Sequence, residues 1–262
     1  MHNHRFLNLV RRLAVLTAVL FSMAPAIHAD GHGDEASGGG TVLITGANRG
    51  LGLEFARQYA EDGWTVIGTA RSPGRADALN ALDVEVLQLD VTDQASIESL
   101  VDTLEGRGID LLINNAGIFP RVGKIDEVSI DDYSRTLMVN TVGPMRITQA
   151  LMPNLRSGNQ KKIVNITSQL ASIELNTGGN FYGYRESKAA LNMFTRTLAQ
   201  ELGPEGFTCL TLHPGWVRTD MGGEQAPLSP EQSVTGMRNV IDNMTNEDNG
   251  VYRGHHGDIV PW

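Results

Sequence analysis

A glycine-rich turn between a strand and a helix is the feature that most limits how this chain can fold. Residues 41–45 (TVLIT) are an apolar, β-branched run typical of a buried strand. Residues 46–52 (GANRGLG) follow, and apolar residues then recur at helical spacing until Gly63, where the helix is expected to stop. Residues 65–69 (TVIGT) resume a strand. This order predicts a parallel strand–helix–strand unit.

The positions of the glycines indicate a dinucleotide pyrophosphate at this turn. We expect Gly46 to allow the tight turn, Gly50 to allow close approach of the backbone to the phosphates, and Gly52 to allow close helix–strand packing. The spacing is G-x-x-x-G-x-G, so the flanking strand, helix and strand carry much of the inference. Asn48 and Leu51 lie in the same turn and are expected to contact the cofactor.

The end of the second strand favours one cofactor over another. NAD-binding proteins usually place Asp or Glu there to bind the ribose 2′-hydroxyl. Here the residues are Ala70 and Arg71, so no carboxylate would repel a 2′-phosphate. Arg71, and Arg49 in the turn, can pair with such a phosphate. We therefore favour NADP(H), with NAD(H) as the alternative if both arginines are ordinary surface charges.

Strand and helix patterns continue to alternate along the chain. They predict an α/β fold, a single Rossmann-like doubly wound domain over residues 41–262, with a seven-stranded, mostly parallel sheet and helices on both faces. Ligands of such sheets bind at the carboxyl ends of the strands. The further cofactor contacts expected at these strand ends are Asp90, Val91, Asn114, Ala116 and Gly117. The helix cap after Asp90 is assigned to Thr92 or Asp93.

Four polar residues are candidates for chemistry. Ser168 ends the fifth strand, and Asn140 interrupts the apolar part of a helix predicted from about residue 131 to 151. A buried asparagine needs partners, and bonding to backbone is the simplest interpretation of Asn140. Tyr184 and Lys188 are four residues apart and so share one helix face. A nearby ammonium group favours the phenolate and lowers the pKa of a tyrosine.

Together these motifs resemble the short-chain dehydrogenases/reductases. The resemblance rests on residues 45–52, the NNAG stretch at 114–117, Asn140, Ser168 and the Tyr184-x-x-x-Lys188 pair. It covers about residues 41–262. Residues 178–192, residues 212–223 and the closing Pro261-Trp262 also resemble the C-factor and sniffer-type carbonyl reductases.

The resemblance implies hydride transfer between a nicotinamide and a carbonyl or alcohol carbon of a small substrate. Tyr184 would exchange the proton, Lys188 would lower its pKa and hold the nicotinamide ribose, and Ser168 would orient the substrate oxygen. Asn140 would hold a water of a proton relay, and Tyr182 would line the substrate pocket with Ser168. Further cofactor contacts implied by the resemblance are Pro214, Gly215, Val217 and Thr219.

The connection before Tyr184 departs from the family pattern. Sixteen positions separate Ser168 from Tyr184, which is longer than usual, and the extra residues at 174–180 are expected to reshape the substrate mouth. Residues 220–234 are predicted to form a short lid, within which a helix begins at Ser229. Some similar proteins are discussed as signalling molecules, so a dinucleotide-binding signal or sensor protein with little turnover is the alternative function.

Composition excludes other classes of function. The formal net charge of −9 makes a nucleic-acid surface unfavourable. The single cysteine, Cys209, lies in an apolar strand pattern and is expected to be buried. No metal site is assigned, since His255 and His256 are interpreted as a solvated turn. The resemblance implies a homo-oligomer, either a dimer or a tetramer.

The first 29 residues have the pattern of a secretory signal peptide. Three arginines precede an apolar run at 13–23, and a small-residue zone ends at Ala29, with Ala26 as the alternative cleavage site. Residues 30–40 are expected to be a flexible linker. The pattern predicts an exported, periplasmic protein. Twin-arginine export through Arg11-Arg12, an uncleaved membrane anchor, and a cytoplasmic protein translated from a later start are the alternatives.

Overall fold

The sheet is doubly wound and entirely parallel, as the sequence predicts in its main features. The computed structural model describes residues 39–262, so the predicted signal peptide and residues 30–38 of the linker lie outside it. Within that range the strand order is β3-β2-β1-β4-β5-β6-β7, and it reverses between β1 and β4. The strands are β1 (Thr41–Ile44), β2 (Thr65–Ala70), β3 (Glu85–Gln88), β4 (Leu111–Asn114), β5 (Lys162–Ile166), β6 (Thr208–His213) and β7 (Tyr252–Gly254).

Helices connect the strands and cover both faces of the sheet. Those of residues 39–262 are α1 (Gly50–Glu61), α2 (Asp77–Asn80), α3 (Gln94–Thr103), α4 (Ile130–Leu137), α5 (Gly143–Ala150), α6 (Met152–Ser157), α7 (Tyr184–Leu202) and α8 (Pro230–Asp242). A π-helical turn at Met138–Val142 joins α4 to α5, so the long helix predicted from about residue 131 to 151 is interrupted. Among these helices, none has the length and apolarity required to cross a bilayer.

Two hydrophobic cores lie on opposite faces of the sheet because side chains alternate along each strand. Val42 and Ile44 point into the core that α1 and α8 cover, whereas Leu43 points into the core that α3, α5 and α7 cover. Cys209 is fully buried in the second core, as predicted. Both faces of the sheet are therefore closed, and its carboxyl edge remains for a ligand.

Local signals set several helix starts. Ser229 accepts a hydrogen bond from the Gln232 N–H at 3.1 Å, and the Gln232 side chain accepts one from the Ser229 N–H at 2.9 Å, which completes a capping box. Asp93 caps α3, as one of the two sequence alternatives proposed. Gly63 has a φ of +76° and ends α1. These helix boundaries therefore lie where the sequence signals place them.

Candidate active site

The glycine-rich turn has the backbone that the sequence predicts. Gly46 and Gly50 have φ values of +68° and +56°, a region that disfavours residues with a Cβ. Gly52 has no positive φ, but a Cβ there would overlap the Gly46 carbonyl oxygen and the Asn115 side-chain amide. At each of these three positions, therefore, a separate steric constraint favours glycine over a residue with a Cβ.

The start of α1 next to this turn is suited to a phosphate. Its N-cap residue, Arg49, provides no side-chain hydrogen bond, and the first turn carries no acidic residue. By contrast, α3, α4 and α8 are capped by Asp93, Ser129 and Ser229. Free backbone N–H groups and the positive end of the helix dipole attract an anion. The residues present thus fit a dinucleotide pyrophosphate.

A residue without an assigned role in the sequence analysis locks this turn in place. The Asn115 side-chain amide donates to the carbonyl oxygens of Thr45 and Gly46, at 3.0 and 3.1 Å. The Thr45 hydroxyl accepts hydrogen bonds from the Asn115 and Ala116 N–H groups in return. The NNAG stretch therefore holds the glycine turn, and the only sequence signal for this was the pair of adjacent asparagines.

The other asparagine of this stretch, Asn114, has a buried side chain. The Asn114 side chain is 2% exposed and donates to Asn165 at 2.9 Å and Thr148 at 3.3 Å, inside the sheet and its helical cover. Strand alternation turns this side chain into the core. The cofactor contact expected at Asn114 therefore stays a prediction, and only the backbone of Asn114 could make it.

Ala116 and Gly117 link the turn to the chemical groups. A Cβ at Gly46 would lie 3.0 Å from the Ala116 Cα, so the two loops touch. A Cβ at Gly117 would lie 3.3 Å from the Asn140 Oδ1 and 3.6 Å from the Lys188 Nζ. The backbone at Gly117 therefore separates the nucleotide side of the cleft from its catalytic side.

The end of β2 and the loop after β3 lie close to each other. Arg71 is exposed directly after β2, and its charge acts on the half-buried Asp90. Burial by itself would raise the pKa of Asp90, but hydrogen bonds from Thr92 and the charge of Arg71 lower it overall. Asp90 is therefore ionised at neutral pH and bound to Thr92 at 2.7 Å. Val91 packs beside Gly143 of α5.

Arg49 has an exchangeable partner across the cleft. Its guanidinium lies 2.6 Å from the Asp220 carboxylate, and the two side chains are 70% and 76% exposed. A pair this exposed contributes only about 0–1 kcal/mol, so Arg49 can exchange it for a phosphate. The Thr219 methyl group lies 3.5 Å from where a Cβ of Gly50 would be. The segment after β6 therefore closes over the glycine-rich turn.

The same segment has a constrained backbone. Gly215 has a φ of +81°, and a Cβ there would overlap Leu228. The Pro214 carbonyl accepts a hydrogen bond from Ser233 of α8 at 2.6 Å, and Val217 is buried. Arg121 donates to the Met221 carbonyl at 2.8 Å and so ties the predicted lid to the loop after β4.

Tyr184 and Ser168 lie together, and both are nearly buried. Burial raises the pKa of Tyr184 to about 12, and a hydrogen bond with Ser168 offsets part of that rise. The expected fall in this pKa through Lys188 was wrong for this structure, because burial dominates. The phenol is therefore protonated at neutral pH. The Phe119 ring, which the sequence did not single out, lies 4.4 Å from the Tyr184 ring.

Lys188 is a buried cation one helical turn after Tyr184. It is 5% exposed, and its ammonium group donates to the Ile166 carbonyl of β5 at 2.8 Å. Burial lowers the pKa of Lys188 to about 8. The side chain therefore remains mostly charged at pH 7.

Asn140 lies in the π-helical turn, and its side chain is occupied by protein groups. Its amide donates to the Ile118 carbonyl at 2.9 Å and to the Ser187 hydroxyl at 3.0 Å, and its Oδ1 accepts from the Ile118 N–H at 2.9 Å. Both N–H donors are used, so the side chain has none left for the predicted relay water. Bonding to backbone, the simplest interpretation, is confirmed. π-Helical turns often occur at functional sites.

The long approach to Tyr184 is held by the residue that follows it. Arg185 donates to the Leu170 carbonyl at 3.2 Å and to the Asn180 carbonyl at 3.1 Å. Phe181 adopts a φ of +57°, unusual for a side chain of this size, and packs against Phe119. Tyr182 is half-buried and makes no hydrogen bond within residues 39–262.

A family model for short chain dehydrogenases matches residues 40–228. The chain is a short-chain dehydrogenase/reductase. The family assignment made from its motifs is thus confirmed, and so is the fold.

Three proteins show where this dehydrogenase/reductase lies within the family. The C-signal of Myxococcus xanthus is 45% identical over 154 residues, which cover 59% of this chain and 93% of that protein. The carbonyl reductase Sniffer of D. melanogaster is 33% identical, with a TM-score of 0.79 over 85% of this chain and 99% of its own. An NADPH-bound carbonyl reductase from chicken fatty liver is 37% identical, with a TM-score of 0.79 over 85% and 98%. The narrower resemblance to sniffer-type reductases is confirmed.

Gly52→Ala is expected to damage the nucleotide site of this dehydrogenase/reductase. The new Cβ meets backbone and a fixed amide, and such overpacking costs about 1–3 kcal/mol. We expect the Kd for NADPH to rise at least about tenfold. Gly74→Ala is the matched control, since nothing lies within 4 Å of a Cβ at that position. Equal NADPH affinities of the two variants in a fluorescence titration would contradict the steric argument.

Proposed function

We propose that this chain is an NADP(H)-dependent carbonyl reductase of small substrates, which transfers a hydride between the nicotinamide and a carbonyl or alcohol carbon. The observation that carries the proposal is the buried, protonated Tyr184 beside Ser168 and the cationic Lys188. A neutral phenol is an acid, so the site is suited to protonating a carbonyl oxygen as it gains a hydride. The glycine-rich turn lies across Gly117 from these groups.

Each side chain has a separate task in this proposal. Bound NADP(H) supplies the hydride during reduction. Ser168 donates a hydrogen bond to the substrate oxygen and fixes its direction, while Tyr184 gives that oxygen its proton. Lys188 holds the nicotinamide ribose and keeps a positive charge near the developing alkoxide. Asn140 keeps the Ile118 backbone and α7 in register, since its amide is fully bonded to them.

The preference for NADP(H) is supported by charge at the end of β2. Arg71 and Arg49 are exposed near the turn, and no carboxylate takes the position that binds a ribose 2′-hydroxyl in NAD-dependent relatives. The similar reductase from chicken fatty liver was solved with NADPH bound.

Arg71→Ala is expected to reduce the preference for NADPH over NADH by about 10–100-fold. A hydrogen bond to a charged group contributes about 1.5–3 kcal/mol. The substitution should weaken binding of NADPH by this amount but not that of NADH, which has no 2′-phosphate. Arg49→Ala should act in the same direction. Arg156→Ala is the control, because that guanidinium pairs with Glu205 on the surface. An unchanged ratio of kcat/KM values in both Arg49 and Arg71 variants would rule out the 2′-phosphate role.

The proposed activity is tested by NADPH consumption with a panel of aldehydes, ketones and quinones. The panel covers several carbonyl classes because the longer Ser168-to-Tyr184 connection and the short lid are expected to reshape the substrate mouth. We expect at least one carbonyl class to be reduced with saturation kinetics. NADPH binding without turnover of any member would contradict the proposal.

A signalling role is the second candidate, and the similarity to the C-signal favours it. In that case dinucleotide binding, rather than reduction, would be the function. The two candidates differ in one measurement: a sensor should bind NADPH tightly and release no alcohol product. The intact Ser168, Tyr184 and Lys188 set supports the enzyme.

We also propose export to the periplasm, on the basis of the leader in residues 1–29. An exported reductase has to keep NADP(H) during export or find it outside the cytoplasm. N-terminal sequencing of the mature protein with cell fractionation tests the proposal. A cytoplasmic protein that begins at Met1 would contradict it.

A further inference from the structure

Three consecutive residues around the catalytic serine are each held by a different element. The Thr167 hydroxyl donates to the Asn192 side chain of α7 at 2.7 Å. The Ser168 carbonyl accepts a hydrogen bond from the Tyr252 hydroxyl of β7. The Gln169 N–H donates to the His213 Nδ1 at the end of β6, at 3.0 Å. We call Asn192, His213 and Tyr252 the serine clamp.

The clamp determines how the Ser168 peptide is oriented. Its carbonyl and the following N–H are the two polar ends of one peptide unit, and Tyr252 and His213 bind one end each. A planar peptide held at both ends cannot rotate. The Ser168 hydroxyl accepts from the Leu170 N–H at 3.2 Å and also shares a hydrogen bond with Tyr184, so the serine hydroxyl is held beside its catalytic partner.

The third member of the clamp connects Ser168 to the helix of its catalytic partners. Asn192 lies one turn after Lys188 on α7. The Thr167 hydroxyl that binds Asn192 also lies 3.5 Å from the Lys188 carbonyl. These contacts of Thr167 therefore tie the residue before the serine to the helix that carries Tyr184 and Lys188.

Tyr252 is built into the core rather than placed at the surface. Its side chain is 1% exposed, and its ring lies 5.4 Å from the Trp262 ring. The Trp262 carbonyl accepts from Ser172 at 3.2 Å and from the Glu174 N–H at 2.9 Å. The same assembly thus supports the loop that follows the catalytic serine.

We propose that Tyr252 and His213 are positioning residues for carbonyl reduction, which act through the backbone of Ser168 to aim its hydroxyl at the substrate oxygen. This inference rests on the proposed reductase function. Neither side chain contacts the reacting atoms in this proposal. Their contribution is angular precision, and small misplacements of catalytic groups are costly in rate.

The test is a double-mutant cycle between Tyr252→Phe and Ser168→Ala. Tyr252→Phe keeps the ring and removes only the hydroxyl, so we expect kcat to fall about tenfold with the KM for NADPH unchanged. In the Ser168→Ala background, the same change should alter kcat by less than about twofold, because the group it aims is gone. His213→Ala is expected to behave in the same way and tests the other end of the peptide.

Tyr59→Phe is the matched control. It also removes a buried phenol hydroxyl, on α1 and without contact to the serine clamp, and it should leave kcat unchanged. Equal losses from Tyr252→Phe with and without the Ser168 hydroxyl would overturn the inference, as would a full retention of kcat. A wild-type protein that reduces no carbonyl would overturn the proposed function as well, so the two failures are distinguishable.

Discussion

Tyr184→Phe is expected to lower kcat for carbonyl reduction by about 10²–10⁴-fold, the usual contribution of a general acid. The phenol pKa of about 12 keeps the proton on Tyr184 throughout the neutral range, so its loss removes the proton source. Phenylalanine retains the ring that packs 4.4 Å from Phe119. NADPH affinity and the midpoint of thermal unfolding should therefore change little. Steady-state kinetics, an NADPH titration and a thermal unfolding curve measure these three quantities.

Tyr182→Phe is the control for this substitution. Tyr182 lies two residues before Tyr184, in the loop that leads into α7, and its hydroxyl makes no hydrogen bond within the described part of the chain. We expect kcat to be retained, with any effect confined to the KM of the carbonyl substrate. A Tyr184→Phe variant that keeps kcat within about threefold of the wild type would remove this tyrosine from the mechanism.

Lys188→Met is expected to reduce activity without reducing stability. The substitution removes a buried ammonium group whose pKa has fallen from 10.5 to about 8. This fall corresponds to about 3 kcal/mol against the charged form in the folded state. Part of this roughly 3 kcal/mol is offset because the buried Ile166 carbonyl loses its donor, at about 1–3 kcal/mol. We expect an unfolding midpoint at pH 7 that equals that of the wild type or is a few degrees higher, together with a loss of activity of about 10²-fold or more.

The pH dependence of stability gives this prediction a definite sign. Because the pKa of Lys188 is lower in the folded state, the unfolded chain binds more protons between pH 8 and pH 10.5. The contribution of Lys188 to the free energy of unfolding therefore increases with pH across that window and is least favourable below pH 8. The Lys188→Met variant should lack this increase.

Lys162→Met is the matched control for charge and burial. Lys162 begins β5, is partly buried, and also donates to a backbone carbonyl, that of Ile241 at 2.9 Å. Burial lowers its pKa too, although Asp242 opposes the shift. This variant should retain activity. A Lys188→Met variant that is less stable than the wild type at pH 7 would show that its ammonium group stabilises the fold.

Local sequence signals account for most of the architecture. Short apolar runs predicted the parallel strands, because a strand covered on both faces is apolar throughout. Gly46, Gly50 and Gly52 could be assigned separate steric roles, since glycine positions follow from backbone requirements. The capping box at Ser229 was equally local. The family motifs then brought Ser168, Tyr184 and Lys188 to one edge of the sheet.

Contacts between residues distant in sequence were not predictable in this way. The buried hydrogen bond between the side chains of Asn114 and Asn165 is one such contact. The π-helical turn around Asn140 has no periodic signature in the sequence. No sequence motif predicts that Phe119 packs against Tyr184, because this contact joins the loop after β4 to the start of α7. The pKa of Tyr184 was likewise not predictable, because it depends on how completely the folded protein buries the phenol.

Mass spectrometry of the product formed with NADPH dideuterated at C4 tests the central claim most directly. If this chain is a carbonyl reductase, each alcohol molecule should carry one deuterium on the former carbonyl carbon, and Tyr184→Phe should reduce the amount of labelled alcohol in proportion to its kcat. An alcohol product without deuterium, or NADPH oxidation with no alcohol formed, would contradict the proposed hydride transfer.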